Sequence, residues 1–562
     1  IITIIAAQMM LAAEKKKVEI KPESKTDLMF RQKQTRRWVA GFSIVLVAIT
    51  LIFAFLTYRQ LGSRFETTLA EITTSREVEQ ENTSQEKIPA AEAPQTSASV
   101  EPSESDEESL PQKTTPDQPE SEPDPVAEES PIEADKTREE KSGEEVAAAV
   151  ESSPEEASGQ PANYQSETPG FAYEVPFSEN DAKNYHAFRG PGSNGIAFNT
   201  NIPESWNGET GENILWKTEI PLEGFNSPVI WDDKLFLTGA SKSKREVYCF
   251  SAETGEILWT SAVENISGSP ETTPDIPDYT GYAAPTGATD GIHFYTIFAN
   301  ADVAAFDFTG NMVWGKNLGV PENHYGYGSS LQIYNGKLII QWDQQDVQKV
   351  IALSTETGET AWETERNVKI SWASPVIASV NSKPQLILAA DPLVVSYNPE
   401  NGEEHWKLKC LSGEVGPSVA CNSNMVFALN EYASLVGINV GATPEKAWEE
   451  YTYLSDVPSP VATDKHLIVS TSYGVIACFA TESGEMLWEA EFDNSIYASP
   501  VIAEGKVYLI DKQGVTHIFK PGDAYEHVAD CPLGEGSVCT PAFADGRIFI
   551  RGDKHLFCIG EE

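Results

Sequence analysis

The sequence has little positive charge. Its 562 residues contain 40 lysines and arginines against 85 aspartates and glutamates, which gives a formal net charge of -45 at pH 7. Phosphate groups would be repelled by such a chain, so we do not expect nucleic acid among its partners. Histidine is also scarce: the eight histidines are scattered singly, without the i, i+4 pair of a zinc-binding helix face. We therefore expect structural or surface histidines and predict no metal site.

Sequence signatures of catalysis are missing as well. The chain has no Gly-x-Ser-x-Gly elbow, no His-Glu-x-x-His motif and no Gly-rich phosphate loop. Its seven cysteines are never adjacent and never spaced as Cys-x-x-Cys, so no cysteine-based redox or metal motif is present. These absences favour a protein that is not an enzyme.

One long apolar run lacks charge altogether. Residues 38–58 contain no charged side chain, and about 20 apolar residues suffice for a helix to cross the hydrocarbon core. Basic residues are concentrated in segment 1–37, so the positive-inside rule predicts a cytoplasmic N-terminus. A cleaved signal peptide is the alternative, but its apolar core would be shorter, about 7–15 residues. We expect an uncleaved anchor in the cytoplasmic (inner) membrane, with the following chain in the periplasm or outside.

The stretch from Glu66 to Gly170 contains almost no aromatic residues. It consists mainly of Glu, Ser, Pro, Thr and Ala, and such a segment cannot bury enough apolar surface to offset the entropy of ordering. As a flexible coil it would have an end-to-end distance of roughly 55–60 Å. We predict that residues 59–170 form a disordered acidic tether, with an interaction tail as the alternative.

Beyond residue 184 the sequence repeats a short pattern of alternating apolar runs. Thr-Gly or Ser-Gly followed four residues later by Trp occurs in residues 252–259, 355–362 and 481–488. A Ser-Pro-Val entry into a strand occurs at residues 227–229, 374–376, 459–461 and 499–501, with degenerate entries that begin at residues 284, 329, 416 and 540. Eight entries about 40–57 residues apart match the four-stranded blades of a β-propeller. We predict that residues 171–562 form eight blades.

The two ends of the repeat array indicate how the propeller closes. The last unit stops before any Trp strand, and a spare Trp strand at residues 214–218 precedes the first entry. Placing this strand on the outer edge of the last blade completes that blade and covers its edge. The seventh unit has residues 525–527 where its Trp is expected, so we expect it to be the blade least firmly joined to its neighbour.

The cysteines divide into two groups. Cys249, Cys478 and Cys558 occupy the same small-residue position of three repeats, as expected of buried free thiols. Cys410 with Cys421, and Cys531 with Cys539, flank two blade junctions. In an oxidising compartment these two pairs are candidates for disulfides.

The repeat unit resembles the PQQ-like β-propeller repeat family, in particular its non-catalytic branch in the bacterial envelope. The Arg-Gly-Pro start in residues 188–196 and the segments 282–286 and 324–330 are similar to that branch. The resemblance covers residues 184–562 and implies an all-β, eight-bladed propeller. Quinoprotein dehydrogenases of similar fold hold their quinone beside a calcium ion and a pair of adjacent cysteines. Because this chain has no such pair, we predict no cofactor and keep a PQQ-dependent or other oxidoreductase as an alternative function.

Aromatic residues precede the predicted entry strands and should rim one mouth of the central channel. Aromatic rings with a polar tip are favoured at binding surfaces. We predict that they form a docking surface for a protein or peptide of the cell envelope, so that the chain acts as a membrane-anchored interaction or scaffold module. The alternatives are that the rings only fill the channel, or that they bind a glycan or polymer. The six candidates are Phe225, Tyr282, Tyr325, Tyr327, Trp372 and Tyr497.

Overall fold

Short antiparallel strands make up almost all of the computed structural model of the protein, which describes residues 164–165 and 174–561. The predicted cytoplasmic tail and transmembrane helix, and nearly all of the predicted tether, lie outside these residues. No helix within the described ranges is long and apolar enough to cross a bilayer. The first elements are β1 (Tyr164–Gln165), β2 (Glu174–Val175), helix α1 (Glu179–Lys183), a 3-10 turn (Pro191–Ser193), β3 (Ile196–Ala197) and β4 (Ile214–Glu219).

Eight sheets follow, and they confirm the predicted eight-bladed propeller. Blade 1 contains β5 (Val229–Trp231), β6 (Lys234–Ala240), β7 (Arg245–Ser251) and β8 (Ile257–Ala262). Blade 2 contains β9 (Ala288–Thr289), β10 (His293–Ile297), β11 (Asp302–Asp307) and β12 (Met312–Asn317). Blade 3 contains β13 (Gln332–Tyr334), β14 (Lys337–Asp343), β15 (Gln348–Ser354) and β16 (Thr360–Glu365). Blade 4 contains β17 (Val376–Val380), β18 (Lys383–Ala390), β19 (Leu393–Tyr397) and β20 (Glu404–Lys409).

The remaining blades include the two that recruit strands from the beginning of the described chain. Blade 5 contains β21 (Ala420–Cys421), β22 (Met425–Leu429), β23 (Leu435–Asn439) and β24 (Glu445–Glu450). Blade 6 contains β25 (Val461–Ala462), β26 (His466–Ser470), β27 (Val475–Ala480) and β28 (Met486–Glu491). Blade 7 contains β29 (Val501–Ala503), β30 (Lys506–Ile510), β31 (Val515–Lys520) and β32 (Glu526–Pro532), with β3 added in parallel to β29. Blade 8 contains β33 (Ala542–Ala544), β34 (Arg547–Arg551) and β35 (His555–Ile559), with β4 as its outer strand.

The closure is therefore the predicted one. Strand β4 pairs antiparallel with β35, and Trp216 lies opposite Cys558 in the register. The same register places Trp259 opposite Cys249 and Trp488 opposite Cys478. The spare N-terminal strand thus takes the structural position of a fourth strand in blade 8.

The burial of the strands identifies the inner and outer edges of the blades. First strands such as β5 are buried throughout, whereas fourth strands such as β8 alternate between half-buried and exposed residues. Because neighbouring strands run antiparallel, the interblade connections and the second-to-third-strand loops lie on one face of the propeller. We call this the entry face. The other two sets of turns lie on the opposite face, which we call the plug face.

The Thr-Gly-x-x-x-Trp pattern has a steric explanation. Gly358 has φ +71, and a Cβ built on it would lie 2.6 Å from Cε3 of Trp314 in the preceding blade. The Trp314 indole N–H donates to the carbonyl of Thr355, 2.9 Å away, in the same turn. Only glycine accommodates both the backbone conformation and the indole ring. The same packing of glycine against the preceding blade's Trp occurs at Gly255, Gly310, Gly402 and Gly484.

The entry motif has an equally specific function in the structure. The backbone N–H of Ser374 donates to the hydroxyl of Ser418, 2.9 Å away in the next entry, and the N–H of Ser418 donates to Ser459, 3.0 Å away. Equivalent bonds link seven of the successive blade pairs, starting at Ser227 and ending at Thr540. Between blades 8 and 1, the Arg551 guanidinium donates to Asn226 and to the carbonyl of Thr238, both at 2.8 Å. The Ser of Ser-Pro-Val therefore joins neighbouring blades.

Residues 184–197, which we call the plug segment, lie across the centre of the propeller. At the inner strand of blade 1, Ile230 N–H donates to the Tyr185 carbonyl of this segment at 2.9 Å. At the inner strand of blade 5, Asn194 of the segment exchanges two hydrogen bonds with the backbone of Cys421. Its contacts with the other blades involve Thr289, Gln332, Ile377, Pro460, Ile502 and Phe543. The Arg-Gly-Pro segment, recognised in the sequence only as a family marker, thus contacts all eight blades.

Blade 7 lacks the Trp of the repeat pattern, but a Trp from an earlier part of the chain packs against this blade. Ala529 lies opposite Ile518 where a Trp would lie. Trp206, which is 3 % exposed, packs in the apolar cluster that joins blades 7 and 8. Its chain segment is held along blade 7 by the hydrogen bond from Gly208 N–H to the Pro532 carbonyl, 2.8 Å. A ring from outside the repeat array thus contributes to the joint that we expected to be weak.

All seven cysteines are free thiols. Cys421 and Cys539 are buried, and burial raises the pKa of the Cys539 thiol to about 11. The candidate pairs Cys410 with Cys421 and Cys531 with Cys539 are therefore not disulfides in this structure.

Candidate docking surface

The six aromatic residues predicted to bind a partner all lie in interblade connections, on the entry face or directly beneath it. Tyr325 and Trp372 come together: their ring centroids are 5.1 Å apart. His324 lies beside both, with its ring centroid 4.2 Å from Tyr325 and 5.2 Å from Trp372. The connections before blades 3 and 4 thus build one aromatic cluster.

The cluster is held firmly by its surroundings. The Trp372 indole N–H donates to Asn323 Oδ1 at 2.9 Å and to the Gly326 carbonyl at 3.1 Å. The connection that carries Trp372 begins with the buried Arg366, whose Nε donates to Asp343 Oδ1 at 2.9 Å. A buried pair of this kind fixes the path of the chain because removing one partner would leave the other charge unpaired.

The other four predicted residues have different environments. Tyr327 is 1 % exposed and packs in the core beside Trp342, with its hydroxyl donating to the Gln341 carbonyl at 3.1 Å. Phe225 lies under Gly281, and Tyr282 packs half-buried against the core of blades 1 and 2. Tyr497 is exposed, but it lies in the connection before blade 7, where its ring faces the ammonium of Lys512 at 4.1 Å. Tyr325 and Trp372 are therefore half-buried at the surface, whereas Tyr327 is part of the core.

Sequence reasoning missed several exposed rings. Tyr279 is 71 % exposed in the long connection between blades 1 and 2, and its ring centroid lies 6.4 Å from that of Tyr325. Tyr432 is 62 % exposed in the second-to-third-strand loop of blade 5 and packs on Gly413. The prediction covers only residues just before the entry strands, so it does not include rings in long connections or in the other loops of the same face.

The exposed tyrosines of the described residues share one face. Five tyrosines are exposed among the residues whose side chains the structure describes, four of them by 60 % or more, and each lies in an interblade connection or a second-to-third-strand loop. They are Tyr279, Tyr432, Tyr451, Tyr473 and Tyr497. We use the name aromatic arc for the part of the entry face formed by Tyr279, His324, Tyr325, Trp372 and Tyr432.

Negative charge lies along the aromatic arc. Glu414 accepts a hydrogen bond from the Tyr325 hydroxyl at 3.2 Å, and His324 Nε2 lies 3.2 Å from its other oxygen. The charge of Glu414 raises the pKa of Tyr325, and Glu431 does the same for Tyr432. Asp456 adds a smaller effect in the same direction on Tyr432. A tyrosine with a raised pKa stays neutral at physiological pH, so the arc presents neutral rings beside carboxylates.

The side chains do not match a quinone and metal site. In the described part of the chain, no group of three or more His, Cys, Asp or Glu is placed to hold a metal ion. The plug segment crosses the centre of the propeller, and its Arg189 side chain is committed to the Pro460 carbonyl and the Ser193 carbonyl. We therefore derive no redox chemistry from the channel.

Comparison with known proteins places the repeats in a family. A family model described as outer membrane protein assembly factor BamB matches residues 204–326, 346–463 and 453–523. A curated protein of that name from Moranella endobia (strain PCIT) is 21 % identical over 260 residues, which are 41 % of this chain. The match spans 65 % of that relative's length.

Solved structures with similar folds include both assembly factors and enzymes. BamB from Moraxella catarrhalis is 14 % identical, with 62 % of this chain and 97 % of that chain covered and a TM-score of 0.47. Quinohemoprotein alcohol dehydrogenase from Comamonas testosteroni is 11 % identical, with 68 % and 82 % covered and a TM-score of 0.49.

Proposed function

Because the chain belongs to the PQQ-like propeller family described as outer membrane protein assembly factor BamB, we propose that it is a protein-interaction or scaffold module of the cell envelope. In this proposal, residues 38–58 anchor the chain in the cytoplasmic membrane and residues 59–170 tether the propeller outside the cytoplasm. The partner is a protein or peptide that docks on the aromatic arc.

The observation that carries the proposal is that every exposed tyrosine among the described side chains lies on the entry face. Tyrosine and tryptophan are enriched at protein interfaces because they bury a large area with little loss of side-chain entropy and still form hydrogen bonds. The arc also contains rings, such as Trp372, whose positions are fixed before a partner arrives. Fixed rings reduce the ordering cost of binding.

The first described residues of the propeller pack at its plug face. Phe177 packs on Tyr334, at the end of an inner strand, with ring centroids 6.2 Å apart, and β2 lies against β17. The chain therefore enters the propeller from the plug face. In this proposal the tether joins the propeller on the face opposite the aromatic arc.

Site-specific photo-crosslinking in the cells that make the protein tests the proposal. A photoreactive residue in place of Tyr432 should give adducts of discrete mass, whereas one in place of Ile292 should give none. Ile292 is a suitable control because it is also strongly exposed but lies in a turn on the plug face. Addition of the substitution Trp372→Ala should reduce the Tyr432 adducts. Equal adducts on both faces, or none from Tyr432, would overturn the proposal.

A further inference from the structure

Within the part of the chain that the structure describes, Glu414, the carboxylate at the centre of the aromatic arc, forms no ion pair with Lys or Arg. Among the described residues, the only ion pair of Glu414 is with His324, and both side chains are nearly half exposed. The ammonium of Lys369 is paired with another carboxylate, that of Asp391, at 2.9 Å. Asp391 also accepts from Gly413 N–H at 2.7 Å, so this pair is a fixed neighbour of Glu414.

The surroundings of Glu414 keep the carboxylate on the rings and leave it accessible. Tyr325 and His324 each hold one of its oxygens at 3.2 Å, and those two rings contact Trp372. Each carboxylate oxygen has two lone pairs, so both can accept a further donor. The group is therefore a preformed acceptor for a charged donor that comes from outside the chain.

The rings add a second attraction for the same kind of ligand. A guanidinium or ammonium is attracted to the faces of Trp and Tyr, by about 0.5–1 kcal/mol at exposed sites and about 2 kcal/mol or more when water is displaced. Arginine combines this stacking with paired hydrogen bonds to a carboxylate. Glu431 and Asp456, whose charges act on Tyr432, extend the negative potential along the arc.

We propose that the aromatic arc takes an arginine side chain of the docked partner, with Glu414 as its hydrogen-bond acceptor and Tyr325 and Trp372 as the aromatic surface on which it stacks. This inference rests on the proposed function and names the chemistry of the partner: a segment with exposed arginine. Lysine would bind more weakly because its ammonium cannot form the paired contact.

Calorimetric titration with a defined probe tests the inference. The probe is a short synthetic peptide with two arginines between serines and glycines, and its counterpart carries citrulline in place of arginine. The full chain should bind the arginine peptide and not the citrulline peptide, which keeps the shape and loses the charge. Glu414→Gln should weaken binding by roughly tenfold, since a charge-assisted hydrogen bond becomes a neutral one.

A matched control separates a specific site from attraction by the net charge of the whole chain. Glu356 is exposed in a turn on the plug face, and Glu356→Gln makes the same change of charge without touching the arc. Its affinity for the arginine peptide should equal that of the unchanged chain. Equal weakening by Glu414→Gln and Glu356→Gln, or equal binding of the two peptides, overturns the inference.

Failure of the arginine inference can be distinguished from failure of the proposed docking function. If Tyr432 still gives discrete adducts in cells and the arginine peptide does not bind, docking stands and the arginine inference fails. If neither result is obtained, both fail. Thermal unfolding of Glu414→Gln should match that of the unchanged chain, because glutamine preserves an acceptor for Tyr325; loss of folding in this variant would show Glu414 to be a structural residue and would also overturn the inference.

Discussion

The contact between Gly358 and Trp314 predicts that a side chain at position 358 destabilises the fold. Gly336, in the same blade, is a matched control. Gly358 and Gly336 have the same φ, +71, and both lie in turns of blade 3. A Cβ at position 358 would lie 2.6 Å from the Trp314 ring, whereas at position 336 the nearest atom is Thr355 Oγ1 at 3.8 Å. Alanine at either position incurs the backbone strain, but only alanine at 358 displaces the ring.

The magnitudes separate the two variants. A left-handed conformation costs an L-residue about 1–2 kcal/mol, so Gly336→Ala should lower the free energy of unfolding by that amount. Gly358→Ala should add a packing cost of about 1–3 kcal/mol because Trp314 must move. Its total loss is then about 2–5 kcal/mol. Urea unfolding of the full chain, followed by tryptophan fluorescence and circular dichroism, measures both.

A double substitution checks the cause. In the background of Trp314→Ala, Gly358→Ala should cost no more than Gly336→Ala does, because the ring that it displaces is absent. Equal losses for Gly336→Ala and Gly358→Ala in the unchanged background would refute the explanation of the Thr-Gly-x-x-x-Trp pattern.

Two further predictions concern blade 7. Trp206→Ala should lower the free energy of unfolding, measured by urea titration, by about 3–5 kcal/mol, as for other buried aromatic residues. The control Tyr451→Ala removes an exposed ring and should change the free energy of unfolding by no more than about 0.5 kcal/mol. Similar losses in the two variants would show that Trp206 does not support the joint. Burial alone lowers the pKa of the His517 imidazole, but hydrogen bonds and charges of Asp511 and Asp530 outweigh it, so the pKa lies above 6.5. The protonated imidazole of His517 therefore stabilises the folded protein. This contribution is complete below the pKa of the unfolded state, 6.5, and is lost as pH rises through the higher pKa of the folded state. The stability deficit of His517→Gln should therefore be larger at about pH 5.5 than at about pH 8.5 in thermal unfolding, and a deficit independent of pH would contradict the assignment.

Much of the fold was predictable because the repeat is local. Each Thr-Gly turn and each Ser-Pro-Val entry lies within a few residues of the strand it defines, and the spare strand at 214–218 revealed how the ends meet. The plug segment was not predictable on the same basis. Its partners, such as Cys421 and Pro460, lie far along the chain, and no local pattern records such contacts.

The candidate site was predictable only in part. Tyr325 and Tyr327 are two residues apart in one irregular connection, and no strand or helix period indicates which of them faces the core. The structure buries Tyr327 and leaves Tyr325 beside Trp372. Glu414 and Tyr432 come from other blades, so their meeting with Tyr325 depends on the order of blades around the ring rather than on nearby sequence.

The position of β4 has a consequence for synthesis of the protein. Residues 214–219 are made before every strand of blades 1 to 6 and before the other three strands of blade 8, and their partner β35 ends only at Ile559. At usual elongation rates of about 5–20 residues per second, the two strands emerge roughly 20–70 s apart. Throughout that interval the edge of β4 and the ring of Trp216 have no partner from blade 8. Blade 8 can therefore be completed only after β35 has been made, and until then β4 remains an unpaired strand edge that must be shielded from other chains.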